Sequence, residues 1–278
     1  MKKNIGKTLL HTAVALLVLL LYLFPLYWQF ITSLKSNVEV FRNPPTFWPA
    51  VAQWENYRAI FSETKVNVFV SFFNSLVIAS GTTAFSLLVA TPAAYALAKF
   101  RIKLAGVFLF LFILGQMLSP TVKLVPLFIM FRDMNLIGSP LSVIIALSTY
   151  TVPFAVLILR PFFLSIPISI TESAMIDGCN KLSAFSRIML PISYPGITVV
   201  LIFNFLTGWN DLVYPYTFLT HTADRPMIAN MYQYMSEYST QWNSLMTFSV
   251  VSVLPIILFF FILQRYIVGG ITLGAVKG

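Results

Sequence analysis

Charge is what this sequence lacks most. Only 10% of its 278 residues are Asp, Glu, Lys or Arg, whereas 58% are hydrophobic and the mean hydropathy is +0.83. A soluble domain carries roughly 25% charged residues, because water must wet its surface. The composition therefore predicts that lipid covers much of the protein and excludes a large soluble domain.

Cysteine and histidine are almost absent. The single cysteine, Cys179, excludes an intramolecular disulfide and a CxxC metal pair. Because the two histidines, His11 and His221, lie on separate segments, we expect no structural metal site. The sequence also contains no G-x-x-x-x-G-K-[ST] motif. We therefore expect that this chain binds no cofactor.

Long uncharged apolar runs are abundant instead, and six reach the roughly 20 residues that a helix needs to cross a membrane. Shorter alternating segments, typical of β-barrels, do not occur. The first run is too long for a signal peptide and has no A-x-A site after it, so we interpret it as a retained anchor. We predict an all-α, polytopic membrane protein, a single transmembrane domain over residues 1–278, with helices at about 9–31, 68–98, 104–122, 137–159, 189–210 and 243–265.

Small residues recur at four-residue spacing along the second predicted helix. They are Ser71, Ser75, Ala79 and Thr83, followed by Ala90, Ala94 and Ala98. Such faces allow helices to approach closely in lipid. The spacing is consistent with packing inside one subunit and equally with an interface between subunits.

The net charge of +9 predicts orientation rather than nucleic-acid binding. With six crossings, both termini share a side that collects eleven Lys and Arg residues, against seven on the other side. Lys and Arg are retained on the cytoplasmic side of membrane proteins. We therefore predict a multi-pass protein with both termini in the cytoplasm.

The longest predicted cytoplasmic loop is the most informative segment. Residues 168–182 are ISITESAMIDGCNKL, in which Ser169 and Glu172 have the spacing of a capping box. Gly178 suits a left-handed helix stop, and Asn180 begins a second helix toward Leu190-Pro191. The absence of Lys and Arg between Ser169 and Asn180 argues against a helix that lies on lipid headgroups. We predict a helix, a bend and a second helix that dock into another protein.

This loop resembles the signature of binding-protein-dependent ABC importer permeases, EAA-x3-G-x9-I-x-L-P. Glu172-Ser173-Ala174, Gly178 and Ile188-Met189-Leu190-Pro191 match it in spacing, with Ser173 in place of an alanine. The chain is most similar to the carbohydrate-uptake branch of that family. Further stretches carry the resemblance: PPTFWP at 44–49, ENY at 55–57, AYALA at 94–98, WND at 209–211 and GAVKG at 274–278.

The resemblance implies a membrane subunit of a prokaryotic importer of a sugar or sugar-like solute. The loop over 163–191 would be a coupling helix that contacts an ABC ATPase dimer, through Glu172, Ser173, Ala174, Met175, Asp177, Gly178, Leu190 and Pro191. A second homologous permease and an extracellular solute-binding protein would complete the assembly. The outer segment 214–242 would contact the binding protein, and Gly274 and Lys277 in the tail would contact the ATPase.

The solute path is marked only by polar and aromatic residues within the spans: Asn74, Gln116, Asn204, Trp209 and Asn210. Polar groups in lipid tend to face a cavity or a partner, so the same residues could instead hydrogen-bond neighbouring helices. The alternatives are a non-carbohydrate ABC importer, a structural or receptor-like membrane protein, a secondary transporter and a membrane enzyme. The last two would require charged or clustered catalytic groups within the spans, and the sequence supplies almost none.

Overall fold

The computed structural model describes residues 5–62, 66–235 and 240–275, with side chains for 9–62, 66–235 and 240–262. Within these residues the fold is helical and has no strand. The helices are α1 (Ile5–Ser33), α2 (Asn37–Val40), α3 (Glu55–Ser62), α4 (Val68–Lys99), α5 (Ala105–Met117), α6 (Pro120–Asp133), α7 (Pro140–Ser165), α8 (Ile168–Ile176), α9 (Lys181–Ala184), α10 (Leu190–Ile192), α11 (Tyr194–Asn210), α12 (Val213–Phe218), α13 (Met227–Met231) and α14 (Trp242–Ala275).

Four helices in the described part of the chain are long and apolar enough to cross a membrane: Leu9–Ser33, Val68–Lys99, Pro140–Ser165 and Trp242–Ile262. Two bent pairs raise the number to six if each pair is one span. Helices α5 and α6 meet at 99°, and the segment Lys181–Ile192 meets α11 at 76°. The 13 residues of α5 extend only about 20 Å at 1.5 Å per residue, less than the roughly 30 Å of a hydrocarbon core.

Helix α6 was not expected from the sequence, which predicted an outer loop beyond residue 122. Ser119 caps it, because its Oγ accepts from the N–H of Thr121 at 3.3 Å, and Pro120 occupies the first turn. Its charged groups have local partners. Lys123 donates to the carbonyl of Gly115 at 3.3 Å, and Arg132 pairs with Asp133 at 2.9 Å.

The described chain forms two compact units. The first contains the described residues of 1–68 and 231–254, and the second those of 69–230 and 255–278. In the first unit, a polar cluster surrounds the end of α1. Ser33 Oγ lies 2.8 Å from the Tyr57 hydroxyl, Asn56 Nδ2 donates to the Ser33 carbonyl at 2.8 Å, and Thr247 Oγ1 donates to the same carbonyl at 3.3 Å. This cluster joins α1, α3 and the start of α14.

The second unit is built on α4. The small residues Ser71, Ser75, Ala79, Thr83, Ala90 and Ala94 are all buried. A Cβ built on Gly208 of α11 would lie 2.8 Å from the Cα of Ala79, so the two helices touch through their backbones. Of the two interpretations left open by the spacing, packing inside one subunit therefore accounts for this stripe.

Candidate functional site

A short segment that we call the elbow, residues 166–192, joins α7 to α11. Ile166 ends α7 with an extended backbone, and Pro167 stands at the N-cap of α8. The capping box expected from Ser169 and Glu172 is wrong, because no side chain caps this helix and it begins at Ile168. Since Pro167 has no N–H and restricts Ile166 to extended conformations, the chain turns at this dipeptide and the helix follows it directly.

The first arm of the elbow, α8, ends in a Schellman motif. The N–H of Cys179 donates to the carbonyl of Ala174 at 2.9 Å, and the N–H of Gly178 donates to that of Met175 at 3.2 Å. Gly178 has a φ of +90°, in the left-handed region that favours glycine. The predicted glycine bend is therefore present in the structure.

The second arm begins at Asn180, whose Oδ1 accepts from the N–H of Ser183 at 2.8 Å. After α9 the chain makes a π-helical turn over Phe185–Met189, closed by the N–H of Leu190 donating to the carbonyl of Phe185. A proline at 191 cannot donate to the carbonyl four residues earlier, and its ring would clash there. The wider π turn removes this clash, and such turns are frequent at functional sites.

The elbow exposes the residues that the family signature singles out. Of these residues, Ala174 is buried and Leu190 is half-buried. The exposed ones are Glu172, Ser173, Met175, Asp177, Gly178 and Pro191. The most exposed large apolar side chains of the elbow are Ile176 at 86% and Leu182 at 74%. Apolar groups beside two carboxylates, with no basic residue on α8, form a surface suited to a protein partner.

Contacts beneath this surface join the two arms to each other and join the second arm to α4. Thr171 of α8 lies 3.7 Å from the Met189 sulfur, and the rings of Tyr95 and Phe185 are 4.8 Å apart. A cleft of about 190 Å³ separates α8 from the end of α4, lined by Tyr95, Lys99, Phe100, Ile168, Thr171, Glu172, Met175 and Lys181. The elbow is thus a packed structure that presents an exposed face.

The five predicted solute-path residues do not converge on one cavity. Asn74 donates to the carbonyl of Ala223 at 2.7 Å, and Gln116 donates to that of Tyr150 at 2.6 Å. Asn204 is buried on α11 and donates from Nδ2 to Ser86 Oγ of α4 at 2.8 Å. The first three therefore hydrogen-bond neighbouring segments, the alternative that the sequence left open.

Two of those residues retain buried polar atoms without a partner. Among the described residues, Asn204 Oδ1 and Trp209 Nε1 find no hydrogen-bond partner although both side chains are buried. The Trp209 ring packs between Phe72 and Phe205, at 5.8 Å from each. Asn210, the next residue, is exposed.

The segment that follows α11 is attached to α4 by polar side chains. Asn230 donates to Ser71 Oγ at 2.8 Å, and Ser75 Oγ accepts from the N–H of Met227 at 2.8 Å. Arg225 lies 4.6 Å from the centre of the Tyr216 ring and donates to the carbonyl of Leu219 at 2.9 Å. Sequence reasoning missed these anchors, although the polar stripe on α4 was the available signal.

Among the described residues, Asp211 is the titratable group whose pKa its surroundings change most. Burial raises the pKa of Asp211 to about 6, although the N–H of Tyr214, which donates to its Oδ2 at 3.0 Å, opposes the change. The carboxyl lies just beyond the end of α11. Within the part of the chain that the structure describes, no three His, Cys, Asp or Glu side chains come together in a group that could hold a metal ion.

The predicted tail contacts are only partly described. Gly274 belongs to the backbone of α14, which continues to Ala275, ten residues beyond the expected end. Lys277 lies outside the described residues.

Comparison with known proteins identifies the family. Residues 86–272, more than half of the chain, match the family of binding-protein-dependent transport system inner membrane components. The chain belongs to this family, and it is therefore a non-catalytic membrane permease of an ABC transport system with several membrane-spanning helices.

Individual relatives cover nearly the whole chain. The sulfoquinovosyl glycerol transport system permease of Agrobacterium fabrum is 32% identical over 273 residues, covering 98% of this chain and 95% of that protein. A diacetylchitobiose uptake system permease of Streptomyces coelicolor is 29% identical and covers 100% of both chains. The arabinooligosaccharides transport system permease of Bacillus subtilis is 31% identical over 261 residues, covering 93% of this chain and 92% of that one.

Solved structures share the fold. A chain of a bacterial ABC transporter involved in import of the acidic polysaccharide alginate has a TM-score of 0.79 at 20% identity, covering 96% of this chain and 98% of that one. A chain of the MetNI methionine ABC transporter has a TM-score of 0.59 at 16% identity, covering 73% of this chain and 95% of that one.

Proposed function

We propose that this chain is a permease subunit of an ATP-driven importer that takes up a sugar or sugar-like solute. The named solutes of its relatives are a glycosyl glycerol, an amino-sugar disaccharide and pentose oligosaccharides. These share a ring rich in hydroxyl groups. The polar residues Asn74, Gln116, Asn204, Trp209 and Asn210 are proposed to border the solute path in a different conformation of the same helices.

We propose six crossings, with each bent helix pair as one span and both termini in the cytoplasm. Eleven Lys and Arg residues lie on the side of the two termini and seven on the other side, and this excess supports the orientation. Two of the seven, Lys123 and Arg132, lie on α6 rather than in a loop. The elbow is then cytoplasmic, on the side where ATP is available.

The observation that carries the proposal is the exposed face of the elbow. Glu172, Met175 and Asp177 lie on it beside the left-handed Gly178. The partner that fits this face is an ABC ATPase dimer, which would bind ATP and magnesium. A second permease would form the other half of the solute path, and an extracellular binding protein would deliver the solute. The tail residues Gly274 and Lys277 are proposed to approach the ATPase as well.

Purification of the chain from its native membrane tests this proposal. We expect an ATP-hydrolysing subunit and a second permease to co-purify, and the Glu172→Lys variant to insert into the membrane but lose the ATPase. Asp224→Lys, a charge reversal on the outer segment, is the matched control and should keep it. A chain that purifies alone, or a Glu172→Lys variant that retains the ATPase, would contradict the proposal.

A further inference from the structure

Lys99, the last residue of α4, holds the corner at which the elbow begins. Its Nζ donates to the carbonyl of Ile166 at 2.5 Å. Ile166 follows the last residue of α7, and the carbonyls at a helix end have no intrahelical partner. A cation is favoured at a helix C-terminus, since the helix dipole is negative there. Lys99 therefore supplies a hydrogen-bond donor to the Ile166 carbonyl, which no helical N–H reaches.

Arg160 makes the reciprocal contact. It lies on α7, and its Nε donates at 3.3 Å to the carbonyl of Leu97 in the last turn of α4. The N–H that would otherwise bond this carbonyl belongs to Arg101, which lies beyond the end of α4. Each helix thus places a cation on the C-terminal carbonyls of the other. We call these two hydrogen bonds the clasp.

The returning arm of the elbow also contacts the end of α4. The ring of Tyr95 packs 4.8 Å from that of Phe185 and 5.6 Å from that of Phe163. Lys181 Nζ lies 5.5 Å from the centre of the Phe100 ring. The corner at Ile166 and the second arm of the elbow are therefore both attached to the end of α4, although the chain joins the elbow only to α7 and α11.

We infer that Lys99 and Arg160 are positioning residues that make α4 move together with α8. This inference rests on the proposed coupling role of the elbow. A force on α8 can bend the chain at Ile166-Pro167, because no helical hydrogen bond crosses that corner. The clasp ties the corner to α4, and Ala79 of α4 meets Gly208 of α11. A displacement of the elbow would then also displace α4, the helix on which the second unit is built.

Loss of one hydrogen bond to a charged donor changes an equilibrium by about tenfold to a hundredfold. A variant that lacks half of the clasp should therefore populate a second arrangement of α8 relative to α4. Lys99→Arg keeps a cation at the corner and should restore the single arrangement. Lys99→Met removes one hydrogen bond of the clasp and Arg160→Met removes the other, so each variant should populate the second arrangement to a similar extent. The double variant should populate it little more than either single variant does.

Distances between spin labels on the two helices test this. Labels at Leu88→Cys, which is 75% exposed on α4, and at Ser169→Cys, an exposed position of α8 that is not among the proposed ATPase contacts, report their separation in a Cys179→Ser background. In the purified chain we expect one narrow distance, a broad or double distribution with Lys99→Met, and a return to one distance with Lys99→Arg. An unchanged narrow distribution in both Lys99→Met and Arg160→Met would overturn the inference, whether or not an ATPase binds.

The same labels in the ATPase complex separate this inference from the proposed function. We expect Mg-ATP to leave the α4–α8 distance unchanged in the parent and in Arg101→Met, the neighbouring control, but to change it in Lys99→Met. If an ATPase binds and Mg-ATP changes the α4–α8 distance in the parent, the inference is overturned, whereas the proposed function is not. Failure of any ATPase to bind counts against the proposed function, and the distances in the purified chain still decide the clasp.

Discussion

The N–H of Cys179 donates to the carbonyl of Ala174 at 2.9 Å, across the left-handed Gly178. This bond closes α8 and sends the chain back toward the membrane-spanning helices. Glu172 and Met175 lie on the exposed side of the elbow, in the arm that this bond ends. The left-handed conformation of Gly178 therefore forms one edge of the proposed docking face.

Gly178→Ala should loosen the turn without causing a clash. No atom lies within 4 Å of the Cβ that alanine would add, so the cost comes from the φ of +90° alone. A left-handed non-glycine residue costs about 1–2 kcal/mol, which corresponds to about a 5- to 30-fold increase in exchange of the Cys179 amide hydrogen. Hydrogen exchange measured by mass spectrometry checks this. Gly178→Asn should show a smaller increase, and equal exchange in all three proteins would contradict the assignment.

Gly208→Ala should destabilise the second unit, because its Cβ would meet the Ala79 backbone at 2.8 Å. Overpacking of this kind costs about 1–3 kcal/mol. Gly115→Ala on α5 is the matched control, since open space surrounds that position, and it should be neutral or slightly stabilising. Thermal unfolding in detergent measures both, and similar values for the two variants would argue against the close approach of α4 and α11.

The hydrogen bond between Asn204 and Ser86 should contribute a modest coupling energy. Bonds of this kind between membrane helices measure about 0.6–1.7 kcal/mol in double-mutant cycles. Asn204→Ala and Ser86→Ala should each destabilise the protein, and the double variant should cost less than the sum of the two. Thermal unfolding of the four proteins supplies the cycle. Strictly additive effects would mean that the two side chains do not interact.

Stability should fall as the pH rises through the titration of Asp211. Burial raises its pKa to about 6, so between about pH 4 and 6 the folded state retains a proton that the unfolded state has released. The stabilising contribution is therefore complete at the acidic end and is lost toward pH 6. Asp211→Asn should flatten the dependence of the melting temperature on pH over this window. Asp224→Asn should leave that dependence in place, and the same slope in Asp211→Asn would contradict the assignment.

Hydrophobic runs indicated where helices would lie but not where they would bend. The apolar runs near residues 9 and 68 correspond to α1 and α4, since nothing interrupts either helix. Helix α6 was missed because its charges at Lys123, Arg132 and Asp133 resembled those of a loop. The sequence nevertheless contains a signal for the start of this helix, because Ser119 is a serine N-cap and is followed by Pro120.

In the elbow, local signals predicted some features and tertiary contacts determined others. Gly178 and Asn180 act through their own backbone and side chain, so the sequence was sufficient to predict the bend and the second helix start. The π turn before Pro191 depends on how the chain avoids a ring clash, and the clasp joins residues more than 60 positions apart. No spacing pattern in one sequence could have predicted either.

Cross-linking from Ile176 determines whether the exposed face of the elbow docks an ATPase. Ile176→Cys in a Cys179→Ser background, 86% exposed beside Asp177, should form a thiol-specific cross-link to an ATP-binding subunit in native membranes. Val38→Cys, equally exposed on α2, should form none. An ATPase cross-link from Val38→Cys, or none from Ile176→Cys in membranes that contain the assembled transporter, would contradict the account.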